Sequence, residues 1–306
     1  MAAILPKTQR VMRSGTSQHV RARHRAGLMF ALPAIILVVA ITVIPLAQAG
    51  YYSFTDWNGA TAHWTGLRNY QNIVRDPELR QALINSGLIM LSIPFGMAAS
   101  FVTAYMLSRG VVASGLLRSL IFAPTALSWV VIGVVARQVF ANDGPLNNGL
   151  SAVGLDALTM NWLASPATAM IALLFVFNAA VFGVNTVVFL TAMSTIDRST
   201  IEAARIDGAS ETRILIEIIL PAVRRFVEFV FIITMVASFT GIFGLIYVMT
   251  GGGPGSATLT LEFAVWRRAL STGAFGPGAA IGISLMMLVL LVIAVVRRFS
   301  RSEQLT

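Results

Sequence analysis

The chain has 306 residues, of which 56% are apolar and only 11% are charged, with a net charge of +9. A soluble globular protein has about 25% charged residues, so this composition argues against a soluble enzyme or a disordered scaffold. There is no cysteine, which excludes disulfides and thiolate metal sites, and the three histidines are not grouped as a zinc site requires. We therefore expect a membrane protein without a metal site.

The apolar segments have lengths that suit a bilayer. A helix needs about 20 mostly apolar residues to cross a membrane, and six segments meet this condition, separated by stretches that contain charges and turn residues. These segments are 27–49, 83–107, 120–140, 167–192, 226–249 and 276–296. The sequence thus predicts an all-α, polytopic protein with six transmembrane helices.

The basic residues predict the orientation. Sixteen of them lie in the two tails and in the loops after the second and fourth spans, against five in the remaining loops. Cytoplasmic loops carry such an excess, so both termini are predicted to be cytoplasmic, and the positive charge reflects topology rather than binding of nucleic acid. The predicted domains are a basic cytoplasmic tail (1–26), a six-span domain (27–298) with a cytoplasmic loop at 193–225, and a second tail (299–306).

The start of the chain allows two interpretations. A basic stretch, an apolar run and Ala47-Gln48-Ala49 resemble a cleavable signal peptide. However, the apolar run has 23 residues, whereas the apolar part of such a peptide has about 7–15. An uncleaved first span is therefore the preferred interpretation.

Polar side chains within the third, fourth and fifth spans are candidates for a solute path, because such groups usually face a bundle interior or a wet cavity. Asn178 and Asn185 are seven residues apart on one helix face, with Phe182 between them. Amides and aromatic rings together suit a sugar, although hydrogen bonding between helices is the alternative use of such asparagines. The whole predicted set is Ser128, Trp129, Asn178, Phe182, Asn185, Ser238 and Thr240.

Ionisable groups are scarce in the spans, although ion-coupled transporters usually keep them there. Glu228 follows Arg224 by four residues, the spacing of an ion pair on a helix surface, and no residue pair of an intramembrane protease is visible. The only lysine, Lys7, has no glycine before it, so the chain lacks the phosphate-binding sequence Gly-x-x-x-x-Gly-Lys-[Ser/Thr]. If ATP drives this protein, a different polypeptide binds the nucleotide.

The loop after the fourth span predicts two short helices. Ser199 and Glu202 have the spacing of a capping box at a helix start, and Gly208 is placed to end that helix in the left-handed conformation. Ser210 predicts the cap of a second helix, which runs through Ile219 and is closed by Pro221.

The first of these helices has about eight residues, which is too few for stability in water without a packing surface. Ala203 and Ala204 make one of its faces small enough for close approach. From these residues alone, a docking helix and an ordinary surface turn remain equal alternatives.

This loop resembles the "EAA" loop of binding-protein-dependent ABC importer permeases. The match consists of Glu202-Ala203-Ala204, then Gly208 after three residues, then Ile218-x-Leu220-Pro221 after nine more. The sequence departs from the family at Asp197, where relatives usually have Pro, and at Ile201, where they often have Tyr. Segments similar to the maltose/glycerol-3-phosphate branch extend the resemblance to about residues 28–298: Trp64-Thr65-Gly66-Leu67-Arg68-Asn69-Tyr70, Gly144-Pro145-Leu146-Asn147, Asn161-Trp162-Leu163 and Met249-Thr250-Gly251-Gly252-Gly253-Pro254.

The resemblance implies a role for the loop. In the family it forms a coupling helix that sits in a cleft of a cytoplasmic ATPase, where Glu202 is expected to pair with a basic group and Gly208 lets the chain reverse. The coupling residues implied in this way are Glu202, Ala203, Ala204, Asp207 and Gly208.

The resemblance also implies the function and the partners. The chain would be the permease subunit of an ABC importer for a sugar or a polyol phosphate, in the lipid of a bacterial plasma (inner) membrane. Its partners would be a second, related permease, two ATPase subunits that bind ATP and Mg, and an extracytoplasmic solute-binding protein. Hydrolysis would occur in the ATPases, so this chain would be neither an enzyme nor a cofactor protein. An ATP-independent secondary transporter or channel is the alternative.

Overall fold

The computed structural model describes residues 29–110 and 114–302. All regular elements in these two ranges are helices, which confirms the all-α prediction. The predicted tail at 1–26 and the last residues of the other tail, 303–306, lie outside the described residues.

The first helix, α1 (Met29–Tyr52), belongs almost entirely to a separate unit of the chain. Its 24 residues have a mean hydropathy of 2.7, and a helix of this length extends about 36 Å. The hydrocarbon core of a bilayer is about 30 Å thick, so α1 is long enough to cross it.

The second unit begins at Tyr52 and contains helices of very different lengths. Two long helices lie before residue 194 and one ends the described part of the unit, whereas the others are short or bent. In chain order the helices are α2 (Arg68–Arg75), α3 (Pro77–Ser108), α4 (Ser114–Phe122), α5 (Trp129–Val139), α6 (Pro145–Ala152), α7 (Pro166–Met193), α8 (Arg198–Ile206), α9 (residues 211–222), α10 (Arg224–Thr240), α11 (Phe243–Met249), α12 (Leu261–Trp266) and α13 (Phe275–Ser302).

The core of this unit lies between α3, α7 and α10, which pack against one another. Phe101 of α3 meets Phe189 of α7 edge to face, with ring centroids 5.2 Å apart, and both rings are buried. Edge-to-face geometry suits the charge distribution of aromatic rings. These three helices therefore form the scaffold to which residues 193–225 are attached.

Two of the predicted spans are not single straight helices. Helix α4, with the 3₁₀ turn Ala123–Ala126 that follows it, meets α5 at 105°, and α10 meets α11 at 50°. Four helices, α1, α3, α7 and the stretch Phe275–Arg298 of α13, are individually long and apolar enough to cross a membrane. The described residues thus hold four candidate spans, or up to six if each bent pair is one span, and the six-span topology with cytoplasmic termini stays a prediction.

Local sequence explains both breaks. Pro124 lies in the 3₁₀ turn, and the Ser128 hydroxyl accepts a hydrogen bond from the Val131 N–H at 3.3 Å, which caps a new helix. Gly241 follows the last residue of α10, and its N–H donates to the Ala237 carbonyl at 3.0 Å. Mean hydropathy is not sensitive to a proline, a capping serine or a glycine. For this reason 120–140 and 226–249 were predicted as continuous spans.

Buried asparagines hold the loops in place. The Asn147 amide donates to the carbonyls of Asn142 and Met160 and accepts from the Trp162 indole N–H at 2.9 Å. Asn85 of α3 donates to the Leu259 carbonyl at 2.8 Å. Because buried polar groups are costly unless they are hydrogen-bonded, the Gly144–Asn147 and Asn161–Leu163 motifs have a structural role here.

Candidate functional site

The loop predicted to be cytoplasmic (193–225) contains a well-capped helix. The Asp197 carboxylate accepts from the Ser199 N–H at 3.0 Å and caps α8 (Arg198–Ile206); this hydrogen bond lowers the pKa of Asp197. The predicted capping box of Ser199 and Glu202 is therefore wrong, because Ser199 already lies inside the helix. The Asp that departs from the family pattern supplies the cap in this chain.

The end of α8 matches the prediction. Gly208 has φ +79°, and the N–H groups of Gly208 and Ala209 donate to the carbonyls of Arg205 and Ala204 at 3.1 and 3.0 Å. This pairing is a Schellman motif, which ends a helix and reverses the chain.

Helix α9 begins as predicted but ends later. The Ser210 hydroxyl accepts from the Arg213 N–H at 3.3 Å, which confirms the second cap. The prediction that Pro221 closes the helix after Ile219 is wrong, because the helix continues through Ala222. The stretch Ile214–Ile219 is π-helical, and this wider turn accommodates the proline ring.

The two sides of α8 have different environments. Ile201 and Ala204 pack against the hydrophobic core of the chain, whereas Glu202, Ala203 and Asp207 are exposed. The two alanines thus lie on different sides, and only Ala203 is free for close approach by another molecule.

Sequence reasoning missed Ile206, which is 86% exposed. It follows Glu202 by four residues and so shares its helix face. We call Glu202, Ala203 and Ile206 the outer face of α8. The spacing placed Ile206 beside Glu202, but the chain has apolar residues on both sides of α8, and only packing shows which side is covered.

A second residue missed by sequence reasoning is Glu211, at the start of α9. Its Oε1 lies 3.0 Å from Arg109 Nη2 and 3.3 Å from Arg205 Nε, and its Oε2 accepts a hydrogen bond from the Tyr105 hydroxyl. The Tyr105 hydrogen bond, and then the two guanidinium groups, lower the pKa of the Glu211 carboxyl. The predicted pair of Arg224 and Glu228 is also present, at 3.3 Å.

The two helix breaks lie side by side. Helix α5 packs on α11, and the Trp129 indole Nε1 is 3.5 Å from the point where a Cβ on Gly241 would stand. Trp129 also stacks on Phe177 of α7, with ring centroids 5.9 Å apart. Trp129, the first residue after one break, thus meets Gly241 at the other.

The asparagines of α7 bind neighbouring helices. Asn178 donates to the Ser92 hydroxyl of α3 at 2.9 Å, and Asn185 accepts from the Thr234 hydroxyl of α10 at 3.2 Å. Both asparagines therefore form hydrogen bonds between helices, which was the alternative to a role in the solute path. Asn178 and Phe182 also line a cavity of about 370 Å³.

The remaining two predicted path residues bond to their own helix. The buried Ser238 hydroxyl donates to the Met235 carbonyl at 2.7 Å, and the exposed Thr240 hydroxyl donates to the Val236 carbonyl at 2.8 Å. The predicted solute-path residues are therefore not gathered in one place: they lie at the helix breaks, at the α3–α7 contact and at the α7–α10 contact.

No group of three His, Cys, Asp or Glu side chains that could hold a metal occurs in the part of the chain that is described.

Residues 92–304 match the family described as "Binding-protein-dependent transport system inner membrane component". The chain belongs to this family. This permease is therefore a multi-pass membrane protein, and the family supports the prediction of a transport subunit rather than an enzyme. The resemblance inferred from the loop after the fourth predicted span is confirmed.

Relatives of the permease are similar over most of its length. The lactose transport system permease protein LacF of Rhizobium radiobacter is 28% identical, over 88% of this chain and 90% of the relative. The diacetylchitobiose uptake system permease protein NgcF of Streptomyces coelicolor is 29% identical, over 87% and 79% of the two chains.

Among solved structures, the permease is similar to a chain of a bacterial ABC transporter involved in the import of the acidic polysaccharide alginate. The TM-score is 0.78 at 20% identity, over 93% of this chain and 99% of the other. At this level of identity the likeness shows a shared fold. A second match, with TM-score 0.78, 19% identity and coverage of 92% and 96%, is to that transporter in complex with an alginate pentasaccharide-bound periplasmic protein.

Proposed function

We propose that this permease forms the translocation path for a sugar or a related polyol phosphate, and that separate ATPase subunits drive it through residues 199–221. The outer face of α8 is the observation that carries the proposal. One side of this short helix is held by Ile201 and Ala204 against the core, while Glu202, Ala203 and Ile206 project outward. A helix anchored on one side and open on the other is suited to lie in a groove of a partner.

The partners follow from this arrangement and from the family. We propose a second, related permease, two ATPase subunits that bind ATP and Mg, and an extracytoplasmic solute-binding protein. The complex of the similar alginate transporter with a periplasmic protein supports the last of these. The names of the relatives, which refer to lactose and diacetylchitobiose, support a sugar as the solute.

We place the solute path at the paired helix breaks. Transporters often build their substrate sites where membrane helices are interrupted, because unwound backbone and helix ends offer polar groups there. Here Trp129 meets Gly241 where the two breaks come together, and Ser128 caps the helix that begins at Trp129. An indole ring offers a flat face for the C–H groups of a sugar.

The test of this function is ATP-dependent import by the assembled system in proteoliposomes. If the proposal is right, vanadate stops import and a protonophore leaves it unchanged. The opposite pattern would instead establish an ATP-independent secondary transporter. Calorimetry on the solute-binding protein with a panel of oligosaccharides and glycerol phosphates would then identify the solute.

Replacing Trp129 by alanine tests the solute path. We expect import at low solute concentration to fall about tenfold, equivalent to about 1.4 kcal/mol, while the amount of assembled complex stays the same. Import is measured with labelled solute in proteoliposomes of equal protein content. Trp64→Ala is the control, since Trp64 lies in the loop before α2 and is 64% exposed. Unchanged import by Trp129→Ala would remove this residue from the path.

A further inference from the structure

Glu211 joins three parts of the permease that are distant in sequence. Tyr105 lies in the last turn of α3, Arg109 directly follows that helix, and Arg205 lies in the last turn of α8. All three contact the Glu211 carboxylate, at the start of α9. The carboxylate thus links α8, the helix that carries the outer face, to the end of a candidate span.

The geometry makes this a three-way link. One oxygen of Glu211 forms ion pairs with the two arginines, at 3.0 and 3.3 Å, and the other accepts the hydrogen bond of the tyrosine. Ser210 caps α9 immediately before Glu211, which fixes the backbone that carries the carboxylate. Helix α3 in turn packs against α7 and α10.

Two ion pairs between residues that follow Glu211 in the sequence have a different character. Arg213 with Glu217, at 2.7 Å, and Arg224 with Glu228, at 3.3 Å, are each four residues apart within one stretch of helix. Such pairs support their own helix. Among these three carboxylates, Glu211 is the one that bridges α3, α8 and α9.

We propose that Glu211 is a positioning residue that transmits the movement of α8 to α3, so that these two elements move as one body during transport. This inference rests on the proposed function, since it takes α8 as the helix on which the ATPase acts. A displacement of α8 would reach α3 through Arg205 and Glu211, which contacts Tyr105 and Arg109. Helix α3 would then transmit it to α7 and α10.

The decisive measurement is the number of solute molecules imported per ATP hydrolysed, for Glu211→Gln in the complete transporter in proteoliposomes. We expect ATP hydrolysis stimulated by the binding protein to stay within twofold of the wild type, while import falls at least tenfold. Glu217→Gln is the matched control, with an unchanged ratio, because it removes an ion pair within α9 only.

Two further readouts separate transmission from a merely structural role. Exposed ion pairs contribute little to stability, so the unfolding temperature of Glu211→Gln should equal that of Glu217→Gln. Arg205→Gln should also lower the number of solute molecules imported per ATP hydrolysed. The double variant Arg205→Gln/Glu211→Gln should be no worse than Glu211→Gln alone, because both residues act through one link. A loss of import that merely follows a loss of folded protein, or fully additive effects, would overturn the proposal.

Glu202→Lys distinguishes a failure of this inference from a failure of the proposed function. If that variant blocks import and Glu211→Gln keeps a normal ratio, α8 is the docking helix but Glu211 does not transmit its movement. If Glu202→Lys imports normally, the proposed docking role fails, and the inference about Glu211 fails with it.

Discussion

Replacing Glu202 by lysine should abolish ATP-dependent import while the permease still inserts and folds. Glu202 is exposed on the outer face of α8, so its substitution disturbs no packing within the chain. Docking in a groove would bury the carboxylate beside a basic group of the ATPase. Removing one partner of a buried ion pair costs about 3–5 kcal/mol, and lysine adds repulsion, so we expect import to fall by at least two orders of magnitude.

Import of labelled solute and co-purification of the ATPase subunits check this prediction together. Ser199→Ala is the control, because Ser199 lies on the same helix and its side chain does not form the cap. Asp197→Ala should have an intermediate effect, since loss of a helix cap costs about 1 kcal/mol. Normal import by Glu202→Lys would contradict the assignment of α8 as the coupling helix.

Replacing Gly183 by alanine should destabilise the permease and reduce import. A Cβ at this position would lie 2.4 Å from the backbone carbonyl oxygen of Ile121 and 2.8 Å from Thr125 Cγ2. A backbone carbonyl cannot turn aside as a side chain can, so the segment that leads to the Ser128 break would have to move. Overpacking of this kind costs about 1–3 kcal/mol.

Thermal unfolding in detergent measures this effect, and we expect the unfolding temperature to fall by several degrees. Gly87→Ala is the matched control, because Gly87 lies within α3 and an added Cβ meets nothing within 4 Å. That variant should be neutral or slightly stabilising, as alanine is favoured over glycine in helices. Equal unfolding temperatures for the two variants would show that α4 and α7 do not approach as closely as described.

Much of the local structure between Asp197 and Glu228 was predictable because its signals are local. The left-handed Gly208, the Ser210 cap and the pair of Arg224 and Glu228 each involve residues within about one helical turn, and the structure has all three. The Asp197 cap was missed because Asp197 and Ser199 are both good capping residues, two positions apart. Which of the two residues caps α8 depends on the backbone conformation of the chain that leads into the helix.

The solute-path residues were less predictable. Sequence spacing places Asn178 and Asn185 on one face of α7, but Asn178 bonds to α3 and Asn185 to α10. A helix face seven residues long meets more than one neighbour, and the order in which neighbours pack is not encoded in the spacing. The same limit applies to the meeting of Trp129 with Gly241, which are 112 residues apart.

The sequence by itself determined the class of the protein: apolar runs of bilayer length, a single lysine without a phosphate-binding loop, and the loop from Glu202 to Pro221 that marks the family. These properties depend on composition and short-range order, which the chain carries in any conformation. Only the tertiary structure decided that Trp129 lies beside Gly241, that Ile206 is exposed, and that Glu211 joins Tyr105 across 106 residues. Those features arise from packing between distant segments, because burial and ion-pair partners are set by which surfaces meet.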